Sequence, residues 1–106
     1  MKRTVVRYKT KPESRDANRR LVEKVFQELQ TTLPAGVRYA ALQLADGTFI
    51  HLVETEDGAK PLPELDAFRK FQTGIKERCL EGPQPGEATI VGNYRLLAAR
   101  TADDDA

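Results

Sequence analysis

The single histidine is the side chain of this chain best suited to proton transfer near neutral pH. His51 lies between Phe49 and Val53 in an apolar segment, and its unperturbed pKa is close to 7. On a strand that faces helices, such an imidazole can act as a general base or hold a substrate group inside a cleft. A second interpretation stays open, a core histidine hydrogen-bonded to the backbone or to a nearby tyrosine or glutamate, because no nucleophile pattern accompanies it. His51 is therefore the catalytic candidate.

Two further sets of residues have types that suit a binding pocket. Asn93, Tyr94 and Arg95 follow one another at the end of the last predicted strand, where a cleft opening would let them bind a polar or anionic group. Arg7 and Tyr8 of the first predicted strand could bind such a group as well. Ordinary surface residues at a strand end give the same pattern. Large apolar side chains on the predicted helices and hairpin serve either as core or as a platform for a substrate. The pocket candidates are Leu42, Phe49, Phe68, Phe71, Asn93, Tyr94 and Arg95.

Metal and phosphate chemistry lack their usual sequence patterns. One histidine and one cysteine do not make a first shell for zinc. Glycine-rich phosphate loops, serine-centred elbows and paired carboxylates at catalytic spacing are also missing from the sequence. Cys79 is predicted near the C-terminal end of a helix, where the helix dipole disfavours a thiolate. We therefore expect no metal and no cofactor.

Alternating and helical hydrophobic patterns predict six elements that would position these residues. Residues 2–10 are rich in β-branched and aromatic types and predict a strand. From Ala17 onwards, apolar residues recur every three to four positions up to Leu33, which predicts an amphipathic helix. Two strands at 37–45 and 48–56 flank Asp46-Gly47, a pair typical of a two-residue type I′ turn. A second helix that begins near Pro63 and ends before Gly82, and a last strand over 87–97, complete the pattern.

The order β-α-β-β-α-β predicts a ferredoxin-like α+β fold, with a four-stranded antiparallel sheet and two helices on one face. The chain has 106 residues, 40% of them hydrophobic, which suits one domain over 1–97 followed by an acidic tail over 98–106 that we expect to be disordered. Several strands carry apolar residues on both faces, so we expect a second copy of the chain to cover the face that the helices leave bare.

A two-residue turn fixes which hairpin residues share a face of the sheet. It places Ala40, Leu42 and Leu44 with Phe49, His51 and Val53, and we assign this more apolar face to the helices. The opposite face is then assigned to the second copy. The predicted dimer-interface residues are Val37, Tyr39, Ala41, Ile50 and Leu52.

The element order, the two-faced strands and two segments give the chain a family resemblance. The segments are LPELDAFRKFQTGIKERC at 62–79 and ATIVGNYR at 88–95. Together they resemble the antibiotic-biosynthesis monooxygenase-like branch of the dimeric α+β barrel superfamily. The resemblance implies a homodimer packed sheet on sheet, and in each subunit a cleft between sheet and helices for a small hydrophobic molecule. Some members oxidise aromatic polyketides without a cofactor, and others degrade haem.

The chain departs from both of those activities at specific residues. Haem-degrading members resemble one another in using an asparagine, a tryptophan and an iron-binding histidine on the second helix, but this chain has no tryptophan, and His51 lies on a predicted strand. The tryptophan of the polyketide-oxidising members is therefore absent as well. The expected function is therefore small-molecule binding, with a cofactor-independent oxygenase, in which His51 accepts a proton, as the enzymatic form. A non-catalytic structural or regulatory dimer is the alternative.

Charge and composition argue against two other partners. The net charge of +1 is too small for a nucleic-acid footprint, and the segment GTFIHLVE at 47–54 lacks the aromatic pattern of an RNA-recognition motif. No apolar run is long enough to cross a membrane, and the N-terminal residues lack the apolar segment of a signal peptide. One cysteine cannot form an internal disulfide. We therefore expect a cytoplasmic protein that binds neither nucleic acid nor membrane.

Overall fold

The structure is a computed structural model that describes residues 1–59 and 62–96. Strands β1 (Lys2–Thr10), β2 (Val37–Gln43), β3 (Thr48–Thr55) and β4 (Cys79–Glu87) form one antiparallel sheet in the order β2-β3-β1-β4. Helices α1 (Arg15–Thr32), α2 (Asp66–Gln72) and α3 (Ile75–Arg78) complete the described fold, together with short 3-10 turns at Pro12–Ser14 and Leu62–Glu64. The predicted ferredoxin-like order β-α-β-β-α-β is confirmed. The predicted tail over 98–106 lies outside the described residues.

The core lies between one face of the sheet and the helices. Val22 and Val25 of α1 and Phe71 of α2 pack against Tyr8 and Phe49 of the sheet, and all five are buried. The apolar spacing of α1 directs one stripe towards the sheet. A hydrogen bond of 2.7 Å from the backbone N–H of Ala67 to a carboxylate oxygen of Glu28 holds the start of α2 against α1. The two faces of the sheet therefore differ, one covered by helices and the other not.

The second predicted helix is shorter than the sequence suggested. α2 ends at Gln72 because Thr73 is extended and Gly74 has a positive φ of 75°. The four-residue helix α3 follows, and the chain enters β4 at Cys79. Cys79 therefore lies at the C-terminal end of a helix, as predicted, but it is also the first residue of β4 and packs against the core. Its partial burial raises the pKa of the thiol.

The last strand lies eight residues earlier than predicted. β4 covers Cys79–Glu87 and contains Pro83 and Pro85, which an edge strand tolerates because only one of its sides is paired. The backbone N–H of Ala88 still bonds to the carbonyl of Arg3, near the first residue of β1. Beyond Arg3 only Lys2 of β1 remains for pairing. Residues 89–96, which make up most of the strand predicted over 87–97, lie outside the sheet.

The turn between β2 and β3 has three residues rather than two. The N–H of Leu44 bonds to the carbonyl of Thr48 at 2.8 Å, and the N–H of Gly47 bonds back to the carbonyl of Leu44 at 3.1 Å. Gly47 has a φ of 90°, and an Asp46 carboxylate oxygen accepts the N–H of Thr48 at 2.9 Å. This is a type I turn followed by a glycine in a left-handed conformation, the usual three-residue hairpin. The Asp46-Gly47 position of the turn was predicted, but its length was not.

The extra turn residue shifts the register and reverses the faces of β2. Residues 39 and 41 now pair with residues 53 and 51, so Tyr39 and Ala41 share the helix-covered face with His51. The prediction that Leu42 lies on that face is wrong, because it pairs with Ile50 on the opposite, outer face and is 61% exposed. Phe49, His51 and Val53 face the helices as predicted. Three residues assigned to the outer face, Val37, Tyr39 and Ala41, lie on the helix-covered face instead.

Gly47 gives a direct test of this turn. Alanine at Gly47 must adopt a positive φ, and its Cβ would lie 2.8 Å from the guanidinium of Arg15. Gly58 is the matched control, since it has a φ of 85° but open space where a Cβ would lie. We expect Gly58→Ala to lower the free energy of unfolding by about 1 kcal/mol and Gly47→Ala by about 1.5 kcal/mol in urea titrations. Equal stability of Gly47→Ala and wild type would contradict the left-handed conformation of Gly47 in this turn.

Candidate functional site

A small aromatic cavity lies between the sheet and helices α2 and α3. Its volume is about 130 Å³. The sheet contributes Tyr8, Tyr39 and His51, and the helical side contributes Phe68 and Phe71. The remaining lining residues are Val6, Val53, Gln72, Ile75 and Pro83. The structure therefore brings His51 together with two of the predicted pocket residues, and we call this space the aromatic cavity.

Packing between rings defines the walls of the aromatic cavity. The rings of His51 and Phe71 are stacked, with centroids 5.3 Å apart, and Phe68 lies 5.9 Å from Phe71. Tyr8 stacks on Phe49 at 5.4 Å on its other side. Phe49 therefore supports the wall from behind and is not itself a lining residue of the cavity.

Both ring nitrogens of His51 are hydrogen-bonded to tyrosines. Nε2 lies 2.9 Å from the hydroxyl of Tyr8, and Nδ1 lies 2.6 Å from the hydroxyl of Tyr39. Burial lowers the pKa of His51 to about 4, because a charged imidazole is disfavoured away from water. Burial also raises the pKa of both tyrosine hydroxyls. All three side chains are therefore neutral near pH 7.

Two further side chains extend this network to the other helix. The side-chain amide of Asn18 on α1, fully buried, donates to the hydroxyl of Tyr8 at 2.9 Å. The Nε of Arg78 donates to Oδ1 of Asn18 at 2.9 Å. We call the series Arg78, Asn18, Tyr8, His51 and Tyr39 the hydrogen-bond relay. It runs from a guanidinium near the surface to a tyrosine at the aromatic cavity.

Arg78 also fixes the helices around the cavity. Its guanidinium donates to the carbonyls of Phe71 and Thr73, which are among the groups left unpaired at the end of α2. The guanidinium carbon lies 5.8 Å from the centre of the Phe71 ring. Partial burial lowers the pKa of Arg78 slightly, but a guanidinium stays charged near neutral pH. Arg78 therefore anchors α2, α1 and the relay together.

The other predicted pocket residues lie elsewhere. Leu42 lines a separate groove between α1 and the edge strand β2, and Phe49 reaches the same groove. Asn93, Tyr94 and Arg95 belong to the segment after β4, all three exposed, so the prediction that they end the last strand is wrong. Tyr94 is 83% exposed and its ring contacts the Arg95 guanidinium at 5.2 Å. The cause is the earlier start of β4, which leaves this segment beyond the sheet.

Sequence reasoning missed Asn18 and Arg78 as parts of the site, placed Tyr39 on the outer face, and named Tyr8 as a possible binding residue without pairing it with His51. One signal was available for Asn18, which lies four residues before Val22 and seven before Val25, on the buried stripe of α1. A polar residue on such a stripe needs a buried partner. For metals, residues 1–59 and 62–96 hold no group of three or more histidine, cysteine or acidic side chains placed to bind an ion.

Several solved structures share this architecture. The chain superposes on Rv0793 from Mycobacterium tuberculosis with a TM-score of 0.68 and 12% identity, covering 87% of this chain and 96% of that one. A conserved protein from Methanosarcina mazei Go1 gives a TM-score of 0.64 and 18% identity, covering 82% and 89%. An antibiotic biosynthesis monooxygenase gives 0.62 and 14%, covering 87% and 100%. The chain shares their fold. The fold implied by the family resemblance is therefore confirmed.

Sequence comparison adds nothing to this likeness. No protein-family model and no curated protein matches the chain. At identities of 12–18% the superpositions establish the shared fold and leave the function to the residues of this chain. Within the described part of the chain, no helix is long and apolar enough to cross a membrane.

Proposed function

We propose that the protein is a homodimer that binds a small aromatic molecule in the aromatic cavity of each subunit. The observation that carries the proposal is a ring-lined cavity of about 130 Å³ beside the neutral His51 and its two tyrosine partners. Ligand sites combine this apolar lining with a few placed polar groups. A purely structural core would fill the space with side chains instead.

The size of the cavity limits the ligand class. An engineered cavity of about 150 Å³ lined by apolar side chains binds benzene. A space of about 130 Å³ therefore suits a single ring with one small substituent. Aromatic polyketides with several fused rings exceed this volume. The ligand is thus smaller than the aromatic polyketides that some proteins of the resembled family oxidise.

Two features of the described residues support the homodimer. The outer face of the sheet carries Val5, Leu52, Ile50 and Leu42 in neighbouring cross-strand positions. The segment after β4 exposes Val91, Tyr94 and Leu96, each more than 80% accessible, and has a strand-forming sequence without a strand to pair with. Exposed apolar surface of this kind marks an association site, and a second copy is its simplest cover. We propose a cytoplasmic location, which the free Cys79 favours.

Oxidation of the bound molecule without a cofactor is the second candidate function. The shared fold with a structure named antibiotic biosynthesis monooxygenase favours it. His51 is then the proton acceptor, and removal of its side chain by His51→Ala abolishes turnover. A pKa of about 4 makes the neutral imidazole a weak base, however. Binding is therefore the function that the geometry supports better.

Toluene is the probe for the proposed binding function. We expect it to shift the methyl NMR signals of Val6, Val53 and Ile75 in the wild-type protein. Val53→Phe places a larger side chain in the aromatic cavity and should raise the dissociation constant of toluene at least about tenfold, since the volume is no longer free. Leu44→Phe, at an exposed site by the hairpin turn, is the matched control and should bind like wild type.

Two results would contradict the proposed binding in the aromatic cavity. Toluene that leaves the wild-type signals unmoved at millimolar concentration would contradict the binding function. Equal affinity of wild type and Val53→Phe would place the ligand elsewhere on the protein. Because Val53→Phe fills existing space, its free energy of unfolding should stay close to that of wild type, which urea titration checks.

A further inference from the structure

The hydrogen-bond relay has a direction, and Arg78 sets it. A guanidinium only donates hydrogen bonds, so the atom of Asn18 that faces Arg78 at 2.9 Å is the carbonyl oxygen Oδ1. The amide nitrogen of Asn18 therefore faces Tyr8 and donates to its hydroxyl oxygen at 2.9 Å. The orientation of the amide thus follows from the chemistry of its neighbour.

The direction continues through Tyr8 to His51. The Tyr8 oxygen accepts from Asn18, and its own proton then has Nε2 of His51 as the acceptor at 2.9 Å. With the opposite direction, Nε2–H would donate to Tyr8 and the Tyr8 proton would lose this acceptor. Tyr8 is only 1% exposed, and a buried donor without an acceptor costs about 1–3 kcal/mol. Nε2 is therefore the unprotonated nitrogen.

Neutral His51 must then carry its proton on Nδ1. That nitrogen lies 2.6 Å from the hydroxyl of Tyr39, so Nδ1–H donates and the Tyr39 oxygen accepts. The proton of the Tyr39 hydroxyl is left as the end of the relay, and no hydrogen bond within the described residues uses it. Tyr39 lines the aromatic cavity. The relay thus delivers a free hydrogen-bond donor to a cavity whose other polar lining side chains are Tyr8 and His51, already hydrogen-bonded to each other, and the exposed Gln72.

We propose that Tyr39 is a ligand-binding residue whose hydroxyl donates to an acceptor oxygen on the bound ring, and that the ligand is a one-ring aromatic carbonyl compound. This rests on the proposed binding function. A hydrocarbon of the same shape leaves the Tyr39 donor unpaired, whereas a carbonyl oxygen accepts from it. Arg78 and Asn18 are positioning residues, because neither lines the aromatic cavity and both act on the ligand through Tyr8 and the tautomer of His51.

Benzaldehyde and styrene form the matched ligand pair, since they differ mainly in C=O against C=CH₂. We expect Tyr39→Phe to raise the dissociation constant of benzaldehyde about fivefold and to leave that of styrene unchanged, the loss typical of one neutral hydrogen bond. Tyr94→Phe removes an exposed tyrosine hydroxyl and is the control, with both affinities unchanged. NMR titration measures the dissociation constants of both ligands for wild type and for each of the two variants. Equal effects of Tyr39→Phe on the two ligands would overturn the assignment.

The direction of the relay has its own measurement, independent of any ligand. His51 is the only histidine, so its imidazole ¹⁵N signals belong to one residue. We expect the proton on Nδ1 in wild type and on Nε2 in Asn18→Asp, because a carboxylate at this position accepts the Tyr8 proton and reverses the relay. Asn18→Asp should also lose the preference for benzaldehyde although Tyr39 is intact.

These two readouts separate the proposals. If neither benzaldehyde nor styrene binds, the binding function itself fails. If both bind equally well and Tyr39→Phe changes nothing, the binding function stands and the ligand class is wrong. A wild-type proton on Nε2 would overturn the direction of the relay whatever the ligands do.

Discussion

Replacing Ile50 with glutamate is expected to convert a dimer into a monomer. Ile50 lies on the outer face of the sheet, opposite Leu42 of β2 and Arg7 of β1. If this face packs on its copy, each subunit brings a new carboxylate into an apolar interface, where the carboxylate loses water. We expect the dimer dissociation constant to rise at least about 100-fold, which corresponds to about 3 kcal/mol.

Native mass spectrometry and sedimentation measure this change in the full chain. The wild-type protein should appear at twice the 11.9 kDa mass of one chain. Leu33→Glu is the control, because Leu33 is 74% exposed at the end of α1, on the covered side of the sheet, and its replacement should leave the dimer intact. A wild-type monomer at micromolar concentration would reject the homodimer. Dissociation by both substitutions alike would move the interface to another surface.

The element order could be predicted because each element has its own local sequence pattern. The spacing of apolar residues along α1 and the runs of β-branched and aromatic residues in β1, β2 and β3 each specify an element without help from the rest of the chain. The sheet order then follows from the few ways in which such elements connect. These parts of the prediction depend on neighbours in sequence, which a sequence displays directly.

The position of β4 could not be predicted from local preference. Its sequence, CLEGPQPGE, contains two glycines and two prolines, whereas the following residues are rich in β-branched types. Propensity favours the second segment as a strand. Pairing with β1 decides otherwise, because α2 ends at Gln72 and the chain reaches the free edge of β1 early. An edge strand pairs on one side only and therefore accepts prolines that a central strand would reject.

The hairpin shows how one residue changes a functional assignment. Ala45-Asp46-Gly47 is compatible with a two-residue turn, which needs a positive φ at Asp46 and Gly47, or with a three-residue turn, which needs one at Gly47 alone. The three-residue turn moves Tyr39 from the outer face to the face that holds His51. Packing of the Tyr39 ring against Phe26 at 4.8 Å favours this register. Only such long-range packing distinguishes the two, so the sequence assigned Tyr39 to the wrong surface.

The candidate site was predictable for the residues that look unusual by themselves. His51 is the only histidine, and Phe68 and Phe71 lie on an apolar helix face, so composition and spacing single them out. Tyr8, Asn18 and Arg78 acquire their roles from partners 10 to 60 residues away. Their pairing is a property of the folded chain and leaves no local pattern, apart from a polar residue on the buried stripe of α1.

The stability of the protein is expected to fall in mild acid because of His51. Its pKa is about 4 in the fold against 6.5 in the unfolded chain. Between these values the unfolded chain binds more protons, so the free energy of unfolding decreases as the pH falls. The stabilisation is complete above about pH 6.5 and is lost through pH 4. We expect a loss of about 2 kcal/mol between about pH 7.5 and 5.

His51→Gln provides the comparison that isolates this contribution, because the amide is polar and does not titrate. Urea unfolding of both proteins at several pH values shows how steeply the free energy of unfolding changes with pH in each of them. Asp46 and Asp66 also have lowered pKa values, but their contributions are lost below about pH 4 and appear in both proteins. The tyrosines of the relay stay neutral and Arg78 stays charged across this range.

The pH dependence of the free energy of unfolding is also linked to the hydrogen-bond relay. Protonation of His51 places hydrogens on both ring nitrogens, so Tyr8 can no longer donate to Nε2 while Asn18 donates to Tyr8. Burial of the imidazole is the cause of the lowered pKa, and the loss of an acceptor for the Tyr8 proton destabilises the charged form further. Parallel pH profiles for wild type and His51→Gln from pH 5 to 7.5 would mean that the folded protein accepts the charged imidazole.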